Sequence, residues 1–254
     1  MVIVENIERV RVLRLANPPS NVLNINLLQS LKAQIQEAGN DGSVRCLVLA
    51  SSYPRYFSTG LDLTEVFSLP DGRRSEPFAV LLDVYRGLRD LPKPTLAALS
   101  GSAVLGGWIL AMACDFRLLS QETGKIALSE IRFGLSPTAE LIRRLLSFSS
   151  SPSLVKDMIL RGKALRAQEA LAGGFVDSLA PAASLEEQAL HEAKGLSKLA
   201  PGAYAAVKGA WLRCCGDRSF EAGSREDFER IFAAPEAKEG MAAMVGKRRP
   251  RWEQ

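Results

Sequence analysis

Histidine is almost absent from this chain, which has one, His191. That excludes chemistries built on a histidine pair or a cluster of histidine ligands, and a Ser-His-Asp triad would have no other residue to use as its base. His191 falls in a helical run from Leu185 to Leu199 among Glu187, Glu192 and Lys194, the setting of a surface residue. Cysteine is scarce as well. The four, Cys46, Cys114, Cys214 and Cys215, show no CxxC spacing, and adjacent Cys214 and Cys215 cannot both ligate a structural zinc, so reduced thiols and no metal site are expected. No apolar run approaches the roughly 18 residues that span a bilayer. Neither GxxxxGK[ST] nor GxGxxG occurs, so no nucleotide-phosphate loop is present. Charge of one sign is not in excess: 32 Lys and Arg against 28 Asp and Glu leave +4, too mild to indicate nucleic acid. The one basic concentration, Lys247-Arg248-Arg249-Pro250-Arg251, reads as a solvated terminus, with contact to an anionic ligand, a neighbouring subunit or RNA left open. Met1-Val-Ile-Val-Glu-Asn lacks the pattern of an export signal, and Trp252-Glu253-Gln254 is not a peroxisomal tripeptide. A cytoplasmic protein is expected, or a mitochondrial matrix one if a transit peptide has been removed.

What is present is an ordinary globular mixture, 47% apolar and 24% charged over 254 residues, enough to bury one sizeable core. Val2–Glu5 and Val10–Leu15 alternate as strands before the turn Asn17-Pro18-Pro19-Ser20-Asn21. Leu27, Leu28, Leu31, Ile35 and Ala38 recur at helical spacing, with Gly39 expected to end that helix. Cys46-Leu-Val-Leu-Ala reads as a strand buried on both faces, as in a parallel sheet between helix layers. A glycine-containing loop follows from Tyr56 to Leu63, then a turn-rich segment, Ser68–Pro77. A helix is expected from Val80 to Leu91, stopping before Pro92. Thr95–Leu99 reads as a strand, Gly101–Gly107 as a small-residue loop, and Trp108–Ala113 as the start of a buried helix. Strands are expected at Asp115–Leu119 and Lys125–Leu128, and the remainder from Thr138 reads as mainly helical, interrupted at Gly173-Gly174. The fold class is α/β.

Alone, Phe57-Ser-Thr-Gly60-Leu61-Asp62-Leu63 is only a glycine loop, and Ser100–Gly107 could simply pack a helix on a sheet. In order, however, NPPSNVLN (17–24), FSTGLDL (57–63), GSAVLGGWILAMACDFRLL (101–119), KIALSEIRFGLSP (125–137) and GKALRAQEALAGGFVD (162–177) together resemble the crotonase, or enoyl-CoA hydratase/isomerase, family over nearly the whole chain. The resemblance implies a repeated ββα core, placed at 1–195, a C-terminal helical cap or oligomerisation region at 196–254, and a homotrimer or a dimer of trimers. It implies acyl-CoA as substrate, with coenzyme A as carrier rather than a held cofactor. It gives the backbone N–H groups of Leu61 and Gly106 to the thioester oxygen, where they would stabilise the negative charge that develops as a proton leaves the α-carbon. It also places Ser58, Gly60, Asp62, Leu63, Gly107, Trp108, Ile109 and Leu135 around the substrate. Asp62 is read as orienting its loop rather than as a base, and Trp108 either lines the acyl cavity or packs in the core.

The hydratases of the family carry two glutamates. Here the first position is Ile109, and only the second is matched, by Glu130. Hydration needs a water to be activated while a proton is delivered to carbon, work shared by two carboxylates. Shifting a double bond from C3 to C2 needs one base. The pattern resembles the mitochondrial type of Δ3,Δ2-enoyl-CoA isomerase, with Glu130 as the single acid/base in an apolar pocket that raises its pKa. Glu140 is read either as a second pocket carboxylate or as a first-turn helix residue beside Arg143 and Arg144. Other readings stay open: a hydratase or another crotonase-type thioester enzyme, and a non-catalytic acyl-CoA- or RNA-binding homologue.

Overall fold

The structure, a computed structural model, describes residues 1–216, 229, 233 and 235–248. Two sheets organise it. The larger has strand order β1-β2-β3-β5-β7-β10, formed by Val2–Ile7, Val10–Leu15, Cys46–Ser51, Thr95–Leu99, Phe116–Ser120 and Ser178–Ala180. Its β1–β2 pair is an antiparallel hairpin and the remaining pairs are parallel. The smaller sheet runs β4-β6-β8-β9, formed by Tyr56–Ser58, Ser102–Val104, Lys125–Ala127 and Leu165–Arg166. In it β4, β6 and β8 are mutually parallel.

Side-chain alternation explains why the larger sheet is covered on both sides. Leu13, Leu15, Leu47, Leu49, Ala97, Leu99 and Leu119 enter the main core with helices α1 (Ile25–Asn40), α3 (Glu76–Asp90) and α4 (Gly106–Ala113). Val10, Val12, Cys46, Val48, Leu96, Ala98 and Leu118 point the other way, onto Leu185, Ala189 and Ala193 of a helix at Leu185–Leu196. Cys46 and Cys114 are buried thiols that burial pushes up to about 12, which removes them as nucleophiles.

The expected repetition of two strands and a helix is present three times. Each of β3–β4, β5–β6 and β7–β8 runs a long strand in the large sheet into a short one in the small sheet, followed by a helical turn or helix. Because β4, β6 and β8 are parallel neighbours, the three following segments emerge side by side at one edge. That register is what assembles the site.

Several expectations need correction. Gly39 lies inside α1, which runs to Asn40, because the helix stays packed against Leu91 there. The largely helical second half contributes β9 and β10, two short strands whose few residues carry no readable alternation. The Ser68–Pro77 segment holds a single 3₁₀ turn at Asp71–Arg73, and its last two residues begin α3. Glu130 follows β8 and stands on a one-turn 3₁₀ helix, Glu130–Phe133, that sequence reading did not give. Helices at Pro201–Cys214 and Pro235–Val245 belong to the expected C-terminal region, whose residues 217–228 and 249–254 lie outside the described residues with most of the basic run. Among the described residues, no helix is long and apolar enough to cross a membrane.

Glu140 proves to be a structural anchor. It begins α5 (Ala139–Phe148), its side chain is 1% exposed, and it accepts from Arg86 Nη2 at 2.9 Å and Arg89 Nη1 at 2.6 Å, both on α3. The arginine partners expected for it, Arg143 and Arg144, lie on its own helix, and Arg144 instead donates to the carbonyls of Met112 and Cys114 at the end of α4. Removing the carboxylate would leave Arg89, itself buried, without its shortest contact. Glu140→Ala is therefore expected to cost about 3 kcal/mol or more in urea unfolding; a loss below about 1 kcal/mol would mean that the helices are held by other contacts.

Candidate active site

The three parallel exits meet at a cavity. From the first exit come Thr59 and Leu61, from the second Leu105 and Gly106, and from the third Glu130 and Phe133. Leu63, Phe78, Leu81, Ile109, Leu135, Ser136, Pro137, Leu141 and Met244 complete the wall.

The first exit is pinned by Asn21. This buried residue, in the N-terminal turn, donates from Nδ2 to the Ser51 hydroxyl at 2.8 Å and the Phe57 carbonyl at 2.9 Å, while its own carbonyl accepts from the Ser58 hydroxyl at 2.7 Å. Leu23 N–H then donates to the Gly60 carbonyl at 2.8 Å, and Asp62 N–H to the Leu23 carbonyl at 3.1 Å. These bonds flank Leu61 and occupy its neighbours, leaving its N–H directed to neither. Gly60 has φ +93°, a conformation L side chains rarely adopt, and a methyl group there would come 3.0 Å from Leu105 Cβ and 3.1 Å from Gly106 N. The two loops thus touch through Gly60.

At the second exit the chain turns sharply from β6 into α4. Leu105 makes the turn with φ 52° and ψ −127°, a sparsely populated conformation for a non-glycine residue that costs about 1–3 kcal/mol. Its N–H donates to the Ala127 carbonyl at 2.9 Å, which ties the turn to β8. The consequence is that Gly106 opens α4 facing the cavity. As the first residue of the helix its N–H has no carbonyl one turn back to bind, and the helix dipole adds partial positive charge at that end. Leu61 and Gly106 both line the cavity at this corner.

Glu130 is 8% exposed and its Oε2 has no hydrogen-bond partner. Among the described residues that line the cavity it is the only one with an ionisable side chain. Burial pushes its carboxyl up to about 8 from the ordinary 4.5, against a small opposing contribution from its own backbone N–H. A carboxyl poised there can take a proton from an adjacent carbon and return it. Among the described residues, no group of three or more His, Cys, Asp and Glu is placed to hold a metal ion.

Of the residues expected from sequence, Leu61, Leu63, Gly106, Ile109, Glu130 and Leu135 line this cavity together. Ser58, Gly60, Asp62, Gly107 and Trp108 are not among its lining residues. Gly60 supports the contact just described, and Ser58 holds Asn21. Asp62 caps the short helix α2 (Leu63–Ser68), accepting from Thr64 and Glu65 N–H groups. Gly107 backs onto the Ser58 carbonyl. Trp108 is wholly buried, edge-on to Phe148 at 6.4 Å, so its core-packing reading is the one the structure has. Sequence reasoning missed Asn21 as a clamp, Leu105 as the strained turn, and the walls Thr59, Phe78, Leu81, Phe133, Ser136, Pro137, Leu141 and Met244. The periodicity of Phe78 and Leu81 identifies a buried helix face but not what it covers.

Comparison with known proteins gives the family and the fold. The family model described as enoyl-CoA hydratase/isomerase matches residues 5–254. The chain is 32% identical to 2,3-dehydroadipyl-CoA hydratase of Escherichia coli K12 over 98% of this chain and 96% of that one. It is also 32% identical to a probable enoyl-CoA hydratase of Rhizobium meliloti, over 97% and 95%. Human mitochondrial Δ3,Δ2-enoyl-CoA isomerase shares the fold with a TM-score of 0.90 at 23% identity, over 97% of both chains.

Proposed function

We propose, since this chain belongs to the enoyl-CoA hydratase/isomerase family and is a crotonase-type CoA-thioester enzyme, that its reaction is the shift of a 3-enoyl-CoA double bond to the 2-position. One observation carries this reading: Glu130 is the only ionisable side chain among the cavity's described walls, and Ile109 stands where a second carboxylate would be needed for hydration. Glu140, the other candidate, is held by Arg86 and Arg89 away from the cavity wall. In the proposed reaction the ionised Glu130 removes a proton from C2. The negative charge that moves onto the thioester oxygen is held by the N–H groups of Leu61 and Gly106, and the same carboxyl then returns the proton at C4. Coenzyme A enters and leaves as part of the substrate. A homotrimer or a dimer of trimers is the assembly this reading carries with it.

A second reading, hydration of a 2-enoyl-CoA, is favoured by the hydratase names of the two relatives at 32% identity. The experiment that separates them supplies 3-enoyl-CoA and 2-enoyl-CoA to the native chain and identifies products chromatographically. Isomerisation without a 3-hydroxyacyl product is the expected outcome; hydration of the 2-enoyl thioester would overturn it. The pH profile is a further check. Glu130 must be ionised to accept the first proton, and its folded pKa lies near 8. Isomerase kcat/KM is therefore expected to rise about tenfold per pH unit below that value and level off above it. A profile already flat at pH 6 would mean that the reacting carboxyl is not in this desolvated state.

A further inference from the structure

The helix at Pro235–Val245, α10 in chain order, reads from sequence as part of a cap, yet its buried face reaches the reaction cavity. Ala237, Gly240, Met241 and Met244 recur at i, i+3, i+4 and i+7, one side of a helix. Ala237 and Met241 are fully buried in the main core. Gly240 sits directly on the backbone of Phe133: a methyl group at 240 would lie 1.8 Å from the Phe133 carbonyl oxygen and 2.1 Å from its carbon, so only glycine allows this approach. Phe133 ends the turn that Glu130 begins. One turn further on, Met244 forms part of the cavity wall. A single helix face therefore touches the turn carrying the base and closes the space beside it.

We propose that α10 is the specificity element of this cavity, and that the volume of the side chain at Met244 sets the length of acyl group the cavity accepts. The inference rests on the CoA-thioester reading of the cavity and not on which reaction follows. The contrast among the walls supports it. Leu81 and Leu141 are 1% and 0% exposed on helices embedded in the core, so altering them opens holes in the packing as well as in the cavity. Met244 is only half-buried, at the last turn of its helix. Methionine is also unbranched and conformationally adaptable, a side chain that can fold back before acyl groups of different length. The described walls are mostly apolar, with Leu61, Leu63, Phe78, Leu81, Leu141 and Met244 among them, which suits an apolar acyl chain.

The test measures binding, by calorimetry, of saturated acyl-CoA thioesters of graded chain length to the native chain, Met244→Ala and Met244→Phe. Because a single methylene in an apolar pocket changes discrimination by about 10- to 200-fold, the ratio of long-chain to short-chain affinity is expected to rise at least about tenfold in Met244→Ala and to fall comparably in Met244→Phe. Opposite shifts in the two variants support the proposal. Binding with an unmoved length preference, or with the same change for every chain length, overturns it and leaves the thioester reading standing. Failure of the native chain to bind any acyl-CoA overturns the proposal together with the reading on which it rests.

Discussion

Glu130→Gln is expected to lower isomerase kcat by about 10²- to 10⁴-fold, the range a positioned general base contributes, with a much smaller change in KM. The amide keeps the shape and fills the same desolvated space but cannot take a proton from C2. Stability should move the other way. In the folded chain the Glu130 carboxyl holds its proton up to about pH 8 because burial penalises the charge, whereas in the unfolded chain it loses it near 4.5. Its contribution to folding is thus fully present below the unfolded value, declines between the two, and is lost above about pH 8. Relative to Glu130→Gln, the native chain should lose up to about 1.4 kcal/mol per pH unit through that window. The variant should therefore be inactive yet melt higher than the native chain at alkaline pH, with the gap closing towards pH 4.5. Normal turnover by the variant would remove Glu130 from the chemistry.

Gly60→Ala is expected to reduce kcat by about 10²- to 10³-fold, the loss associated with removing one oxyanion donor. The added methyl group has no room: it meets Leu105 Cβ at 3.0 Å and Gly106 N at 3.1 Å, in a backbone conformation that disfavours alanine. The backbone around Leu61 and Gly106, the two proposed donors, must then separate or rotate. Since the donors act on charge present only in the transition state, the loss should fall on kcat more than on KM. Circular dichroism and melting would show whether the fold survives, a necessary control because Gly60 is buried against Leu105 and Gly106. A folded variant with kcat within a few-fold of native would place the oxyanion elsewhere.

Much of this was legible in the sequence where a single physical rule governs. Strand alternation gave β1 and β2 and helical spacing gave α1 and α3, because one buried face imposes one period, while β3 was legible as a short apolar run buried on both faces. The glycine loops and Glu130 were legible through their order along the chain rather than through any one of them. What escaped depends on contacts between distant segments. Met244 and Leu61 share a cavity across most of the chain length, and no local pattern marks a methionine as a wall. Glu140 illustrates the limit well: its position in a first helical turn was readable, but its partners lie on α3, more than fifty residues earlier, so a neighbour-based reading chose the wrong arginines. Leu105 left no trace, since its strained φ is imposed by the sharp turn from β6 into α4 and by the tie to Ala127, and a leucine there looks like any other.

The distance along the chain between Glu130 and the helix that walls its cavity has a consequence in time. The two sheets and their three exits are complete within the segment ending at β10, and the groups proposed for catalysis lie within it. Contacts between remote segments form late because closing long loops costs entropy before any packing is gained. Until α10 docks, an apolar hollow lined by Leu63, Phe78 and Leu141 stands open to water and to other chains, the kind of surface through which folding intermediates associate. Docking of one short helix thus completes the main core, through Ala237 and Met241, in the same step that walls the cavity with Met244.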